Sequence, residues 1–334
     1  MSYLFEYLLF VAQVVTVGLV IVLGMSVISG YSQRGRREGT GHIEIRQLND
    51  HFEGVREVID EMLLSGRELR RARKERKQSQ AGAPDRPRLF VVDFMGDVEA
   101  NAAEGLREEV SGILLAARKG DEVLLRLESA GGVVHGYGFA ASQLARLKAQ
   151  EIRLVIAVDK VAASGGYLMA CVADDLIAAQ FSLVGSIGVV VEMPNVHRLL
   201  KRHNVDVEIL TAGEHKRTLT LLGQNTDQGR LKLQEELDDV HELFKTFVQA
   251  NRPEVDLALI ATGEAWYGQR AVALKLIDRV ETSDEYLLAR INTFELLHVQ
   301  WVLHRKGVEG LMERLTGGLF TRLTSLLRSL LRQH

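Results

Sequence analysis

The chain has 334 residues, which at roughly 150 residues per domain suggests one large domain with extras, or two domains, and is enough to bury a sizeable core without staples. Its 41 Lys+Arg against 44 Asp+Glu give a net charge of −3, which argues against nucleic acid as the main partner. The single cysteine, Cys171, rules out an intrachain disulfide and a cysteine-based zinc cluster, and only four prolines argue against a Pro-rich disordered chain.

No charged residue occurs between Tyr7 and Gln33. Residues 8–29 read LLFVAQVVTVGLVIVLGMSVIS, close to the roughly 20 apolar residues that cross a hydrocarbon layer. A cleaved signal peptide opens on basic residues and has a shorter apolar run, whereas here Glu6 precedes the run and no Lys or Arg does. Residues 1–33 therefore read as an uncleaved membrane anchor. Arg34, Arg36 and Arg37 follow it, a bias that places the rest of the chain in the cytoplasm unless a large domain overrides it.

Residues 34–87 form a charged region. Ile45, Leu48, Phe52, Val55, Ile59 and Met62 are spaced as on an amphipathic helix, either docked on the main domain or forming an oligomer seam. The basic run from Arg67 to Lys77 reads as a solvated helix end, with anionic lipid headgroups as the other reading. SQAGAPDRP, residues 79–87, reads as a linker.

From Arg88 the texture changes. LFVVDF (Leu89–Phe94), EVLLRLES (Glu122–Ser129) and IRLVIAVD (Ile152–Asp159) are short apolar runs. Helical stretches at Asn101–Arg118 and His135–Gln150 separate them. This alternation predicts an α/β fold with a parallel sheet and helical crossovers. Further strands are expected at Asp175–Gln180, near Ile187–Val191 and at Val205–Leu210. Helices are expected at Asp227–Ala250, Glu254–Thr262 and Gly268–Leu276. The core is read as residues 88–281. The tail, 282–334, ends in a leucine stripe from Leu311 to Leu331 interleaved with Arg314, Arg322, Arg328 and Arg332. Such a helix suits a membrane surface, the domain itself or a neighbouring subunit.

Two Gly-Gly pairs follow predicted strands, Ser129-Ala130-Gly131-Gly132 and Ala163-Ser164-Gly165-Gly166. Loops at the carboxyl ends of parallel strands are where such sheets place their sites, and glycines let backbone N–H groups approach a ligand. A serine opening a helix has amide donors beside it, which suits a nucleophile whose reaction creates an oxyanion. An ordinary helix N-cap is the plainer reading, and Ala162 stands where a full nucleophile elbow has its first glycine. Two bases are conceivable: His135, or Lys216, which must lie in an apolar setting to be neutral.

The stretch VAASGGYLMACVADDLIAAQFSLVGSIGVVVEMPNVHRLL, followed by VEILTAGEHK, resembles the serine–lysine peptidases of the signal peptide peptidase A (protease IV) family. The apolar N-terminal segment and TSDEYLLARI bring it nearest to the SohB subgroup of inner-membrane proteases. The resemblance implies a ClpP/crotonase-like fold with Ser164 as nucleophile and Lys216 as general base. It further implies that Ser186 orients the lysine and that the Gly132 and Gly165 amides form the oxyanion hole. Ala130 departs from the family's usual proline in that turn. Long members carry two core units in tandem, so this single unit is expected to assemble with copies of itself, as a ring. The resemblance also implies hydrophobic peptide or unfolded membrane-protein substrates beside the bilayer, a single-pass inner-membrane location, and no metal or organic cofactor. A crotonase-type acyl-CoA enzyme and a non-catalytic membrane scaffold are the other classes compatible with the fold.

Overall fold

The structure, a computed structural model, describes residues 41–81, 86–213 and 216–303. The expected span 8–29, Arg34–Arg37 and the leucine stripe 311–331 lie outside the described residues. Among the described residues no helix is long and apolar enough to cross a membrane. The chain divides into a unit at Ile43–Trp301 and another made of Met1–His42 with Val302–His334.

Strand β1 (Gly41–Gln47) leads into helix α1 (Leu48–Leu63), and α2 (Gly66–Ala81) follows it. Arg73 of α2 reaches Glu57 (3.5 Å) and Glu61 (2.8 Å) of α1, a contact that ties the two helices. The expected helical stripe therefore begins at Leu48, because Ile45 lies in a strand. Only Leu48 and Phe52 of the stripe pack on the core, while Val55, Ile59 and Met62 stay exposed.

The alternation then proceeds as the sequence predicts: β2 (Arg88–Met95), α3 (Ala103–Ala116), β3 (Glu122–Glu128), α4 (Val134–Ala149) and β4 (Arg153–Val158). A short β5 (Val161–Ala163) leads into α5 (Gly165–Ala170), followed by β6 (Asp175–Ala178) and β7 (Leu183–Gly185). Next come α6 (His197–Arg202), the long α7 (Asp227–Asn251) and α8 (Leu257–Ile260). The chain continues through β8 (Ala265–Tyr267), α9 (Gly268–Ala271), β9 (Arg279–Val280), α10 (Ser283–Arg290) and β10 (Glu295–Leu303).

The main sheet has the order β1-β10-β2-β3-β4-β6-β9. The pairs from β10 to β9 are parallel, with Leu296 beside Leu89 and Val91 beside Leu124. Parallel strands are covered on both faces, which is why β2 and β3 read as near-continuous apolar runs, interrupted by Asp93 and Arg126, which pair with each other across the two strands. On one face Phe90, Val92, Phe94, Val123, Leu125 and Leu127 meet Leu106, Val110 and Ile113 of α3 and Leu144 and Leu147 of α4. On the other, Leu89, Val91, Leu124 and Val155 meet Tyr286 and Leu287 of α10 and Phe52 of α1. A second sheet, β5-β7-β8, stands beside the first and is stitched to it by a bridge between Ser129 and Ala162.

Several expectations are corrected. No strand forms at Ile187–Val191: the strand is β7, and the chain leaves it at Gly185 and Ser186, both at positive φ (101° and 53°). Val205–Leu210 alternates like a strand, but among the described residues nothing pairs with it, and Val205 and Leu210 are exposed. The helices expected at Glu254–Thr262 and Gly268–Leu276 shrink to four residues each. The sheet does not stop at Glu281, because β10 lies inside it, with Leu296 and Val299 buried. Asn49 secures that strand: its amide donates to the Ile291 (3.0 Å) and Phe294 (3.1 Å) carbonyls, and its oxygen accepts from Leu296 N–H (2.7 Å).

Candidate active site

The two glycine loops meet because β3 runs on into the second sheet. Ser129 N–H donates to the Val161 carbonyl (2.8 Å), and Ala163 N–H donates to the Ser129 carbonyl (3.0 Å). Gly131, at φ 90°, then lies so close to the Ser164 loop that a Cβ on it would stand 2.8 Å from both Gly165 N and Ser164 Cβ. Only glycine fits that approach and that conformation. Gly132 packs against the Val98 backbone, and Val133 N–H donates to the Val98 carbonyl (2.8 Å).

Ser164 opens the buried helix α5 with φ 51° and ψ −118°, a sparsely populated conformation for a residue with a Cβ. Its side chain makes no cap bond, so the N-cap explanation for this serine fails. Its N–H donates to the Gly185 carbonyl (2.8 Å). The parallel register Ala163 to Gly185 carries the chain on to Ser164 and Ser186, and both residues are half-buried. Ser186 N–H donates to the Glu264 carbonyl (2.7 Å), which holds its strained backbone. Among the described residues neither the Gly132 nor the Gly165 N–H meets an acceptor. The β5–β7 register and the close approach of Gly131 thus bring Ser164, Ser186, Gly165 and the Gly131-Gly132 turn into one neighbourhood.

Lys216 is not drawn in. It is exposed, residues 203–213 and 216–226 around it have no regular structure, and its backbone N–H closes a turn onto the Gly213 carbonyl (3.2 Å). Among the described residues no occluded apolar setting surrounds it, because residues 188–213 and 216–226 bury little of their surface. His135 is exposed on the first turn of α4. Cys171, just past α5, is wholly buried, and burial pushes its thiol up to about 12, so it is no rival nucleophile. Among the described residues no cluster of His, Cys, Asp or Glu could hold a metal ion.

In the sequence Ser129 stands out only as the start of the first glycine motif and Tyr137 not at all; both lie beneath these loops, buried. Their hydroxyls are 2.5 Å apart, and burial pushes the Tyr137 phenol above the ordinary tyrosine range, keeping it neutral. One buried tyrosine in a helix reads as core. The signal that it does more is three-dimensional: Gly96 and Gly165 both lack a Cβ where Tyr137 stands.

Comparison with known proteins gives a consistent picture. Residues 2–144 match the model of the peptidase family S49 N-terminal domain, and residues 146–293 match that of peptidase family S49. A probable protease SohB from Haemophilus influenzae is 47% identical over 90% of this chain and 89% of that protein. A probable protease SohB from Buchnera aphidicola subsp. Acyrthosiphon pisum is 42% identical over 98% of this chain and 97% of that one. Among solved structures, a mutant of the membrane-bound stomatin-specific protease 1510-N with a substrate peptide is 12% identical. That match covers 70% of this chain and 99% of that chain, with a TM-score of 0.42.

Proposed function

Because this chain belongs to peptidase family S49 and is a protease, serine-type by that membership, we propose that it cuts peptide bonds with a Ser164–Lys216 dyad. The observation that carries the reading is the strained backbone of Ser164 beside two N–H groups that meet no acceptor among the described residues, with Ser186 in register next to it. Ser164 Oγ attacks the scissile carbonyl while Lys216 Nζ takes its proton. The Gly132 and Gly165 amides hold the resulting oxyanion. Lys216 returns the proton to the leaving amine as the C–N bond breaks, and water then releases the acyl group from Ser164. Ser186 holds the neutral amine in line with Ser164.

Lys216 needs desolvation for this role, so residues 188–226 must pack before turnover, on a bound peptide or on a neighbouring copy in a ring. Exposed apolar side chains support both partners. Met95, Val98 and Val134 flank the Gly132 loop, and Val190, Val191 and Met193 follow Ser186 in the chain. Such surfaces suit extended hydrophobic peptides, such as signal-peptide remnants or unfolded membrane-protein segments. Residues 1–33 anchor the protein in the bacterial inner membrane, with residues 88–281 carrying the catalytic groups.

The test is hydrolysis of an apolar fluorogenic peptide by the purified full chain. Ser164→Ala and Lys216→Arg should each lower kcat by about a thousandfold or more, with assembly size unchanged, because arginine keeps the charge but cannot give up its proton. Wild-type turnover by Ser164→Ala would refute the reading. Retention of more than a few per cent by Lys216→Arg would remove the lysine from it.

A further inference from the structure

Beneath the two candidate amide donors runs a chain of hydrogen bonds that links Gly131, Ser129, Tyr137 and Asp97. Gly131 N–H donates to Ser129 Oγ (3.0 Å), and Tyr137 Oη donates to the Asp97 carbonyl (2.8 Å). Tyr137 has one hydroxyl proton, and Asp97 receives it. The Ser129 hydroxyl must therefore donate to Tyr137 Oη, 2.5 Å away. Each donor is used once, and the chain joins the loop after β2, the loop after β3 and helix α4. The tyrosine ring supplies a second contact. A Cβ on Gly165 would stand 2.5 Å from Tyr137 Cγ, so Gly165 rests directly on the ring. Phe94 braces that ring edge-on at 6.3 Å.

We propose that Tyr137 is a positioning residue for peptide hydrolysis that sets the spacing between the Gly132 and Gly165 N–H groups. Its ring fixes Gly165 from below. Its hydroxyl, through Ser129, fixes the turn that carries Gly132. The inference rests on reading those two amides as the oxyanion donors. A buried, fully satisfied hydroxyl chain is stiff, because any displacement leaves a buried polar group unpaired. Donor spacing acts on the oxyanion, which exists only after attack, so a loosened turn lowers kcat and leaves substrate binding alone.

The test uses the full-length chain with Tyr137→Phe, Ser129→Ala, the double variant and Ser164→Ala. For the variants that keep Ser164, rates are taken per site titrated with a fluorophosphonate, so that unfolded molecules do not count, and for Ser164→Ala, which offers no hydroxyl to label, per folded chain. Affinity for a peptide aldehyde is measured as well, because its adduct with Ser164 places an oxyanion between the same amides. Tyr137→Phe should lower kcat by about tenfold or more, with KM within about twofold and aldehyde affinity weakened by the same factor as kcat. Ser129→Ala should do likewise, which keeps the test open if Tyr137→Phe fails to fold. The double variant should be no worse than the poorer single one, as expected of two links in one chain. If both single variants keep kcat and aldehyde affinity within about threefold while Ser164→Ala is dead, the positioning role is overturned and the oxyanion reading survives. If Ser164→Ala stays active, the reading and the inference fall together.

Discussion

Ser164 holds a backbone conformation that carries a cost in stability. At φ 51° and ψ −118° its Cβ is crowded, a strain of about 1–3 kcal/mol that the surrounding bonds to Gly185 and Leu168 must hold. Glycine relieves that strain, against about 0.5–1 kcal/mol of extra chain entropy lost on folding. Ser164→Gly should therefore unfold at a higher temperature than Ser164→Ala, by about 1 kcal/mol of stability, with both inactive. Equal or reversed melting temperatures would show that the site stores no strain. The two glycine pairs were legible in the sequence as loops at strand ends, but Ser164 was singled out only by the family resemblance, because a serine opening a helix is more simply an N-cap. The positive φ was not legible, since it depends on Gly131 and Gly185 arriving from elsewhere in the chain.

Between elements, the tie from α3 to β10 runs through a buried carboxylate. Trp301 N–H donates to Glu109 Oε1 (2.7 Å), and burial pushes Glu109 from its ordinary 4.5 to about 7. The Trp301 bond and His298 pull it back down, while Asp93, itself bonded to Arg126 and His298, adds repulsion. The folded protein thus holds this proton more tightly than the unfolded chain does. Stability contributed by the protonated form is full below about 4.5 and is lost as pH rises through about 7. The difference is about 3 kcal/mol. Glu109→Gln keeps the acceptor for Trp301 without the charge, so it should melt well above wild type at pH 8 and close to it at pH 4.5. Equal gains at both pH values would refute the account. The strands at 89–94, 122–129 and 152–159 were legible because buried parallel strands leave near-continuous apolar runs. Residues 205–210 misled because alternation marks a strand only where a partner stands beside it.

For the molecule as a whole, β10 matters more than its place in the sequence suggests. It lies between β1 and β2, well past the expected end of the core, because its irregular burial pattern carries no clear period. A chain ending at Glu281 loses Tyr286, Leu287, Leu296 and Val299 from the interior. At about 1.5–3 kcal/mol for each large side chain, that approaches or exceeds the whole stability of a typical domain. Such a chain should show no cooperative thermal unfolding, whereas one ending at Leu303 should. A cooperative transition in the shorter chain would restore the earlier boundary. The same strand order has a kinetic side. Glu295 finds Arg88 across more than two hundred positions, a parallel pairing with a large loop to close. The segments that build the candidate site leave the ribosome well before the strand that seals the sheet. Docking of β10 should therefore be the slow step of folding, and until it happens β2 presents a bare apolar edge to any chaperone or stray strand in reach.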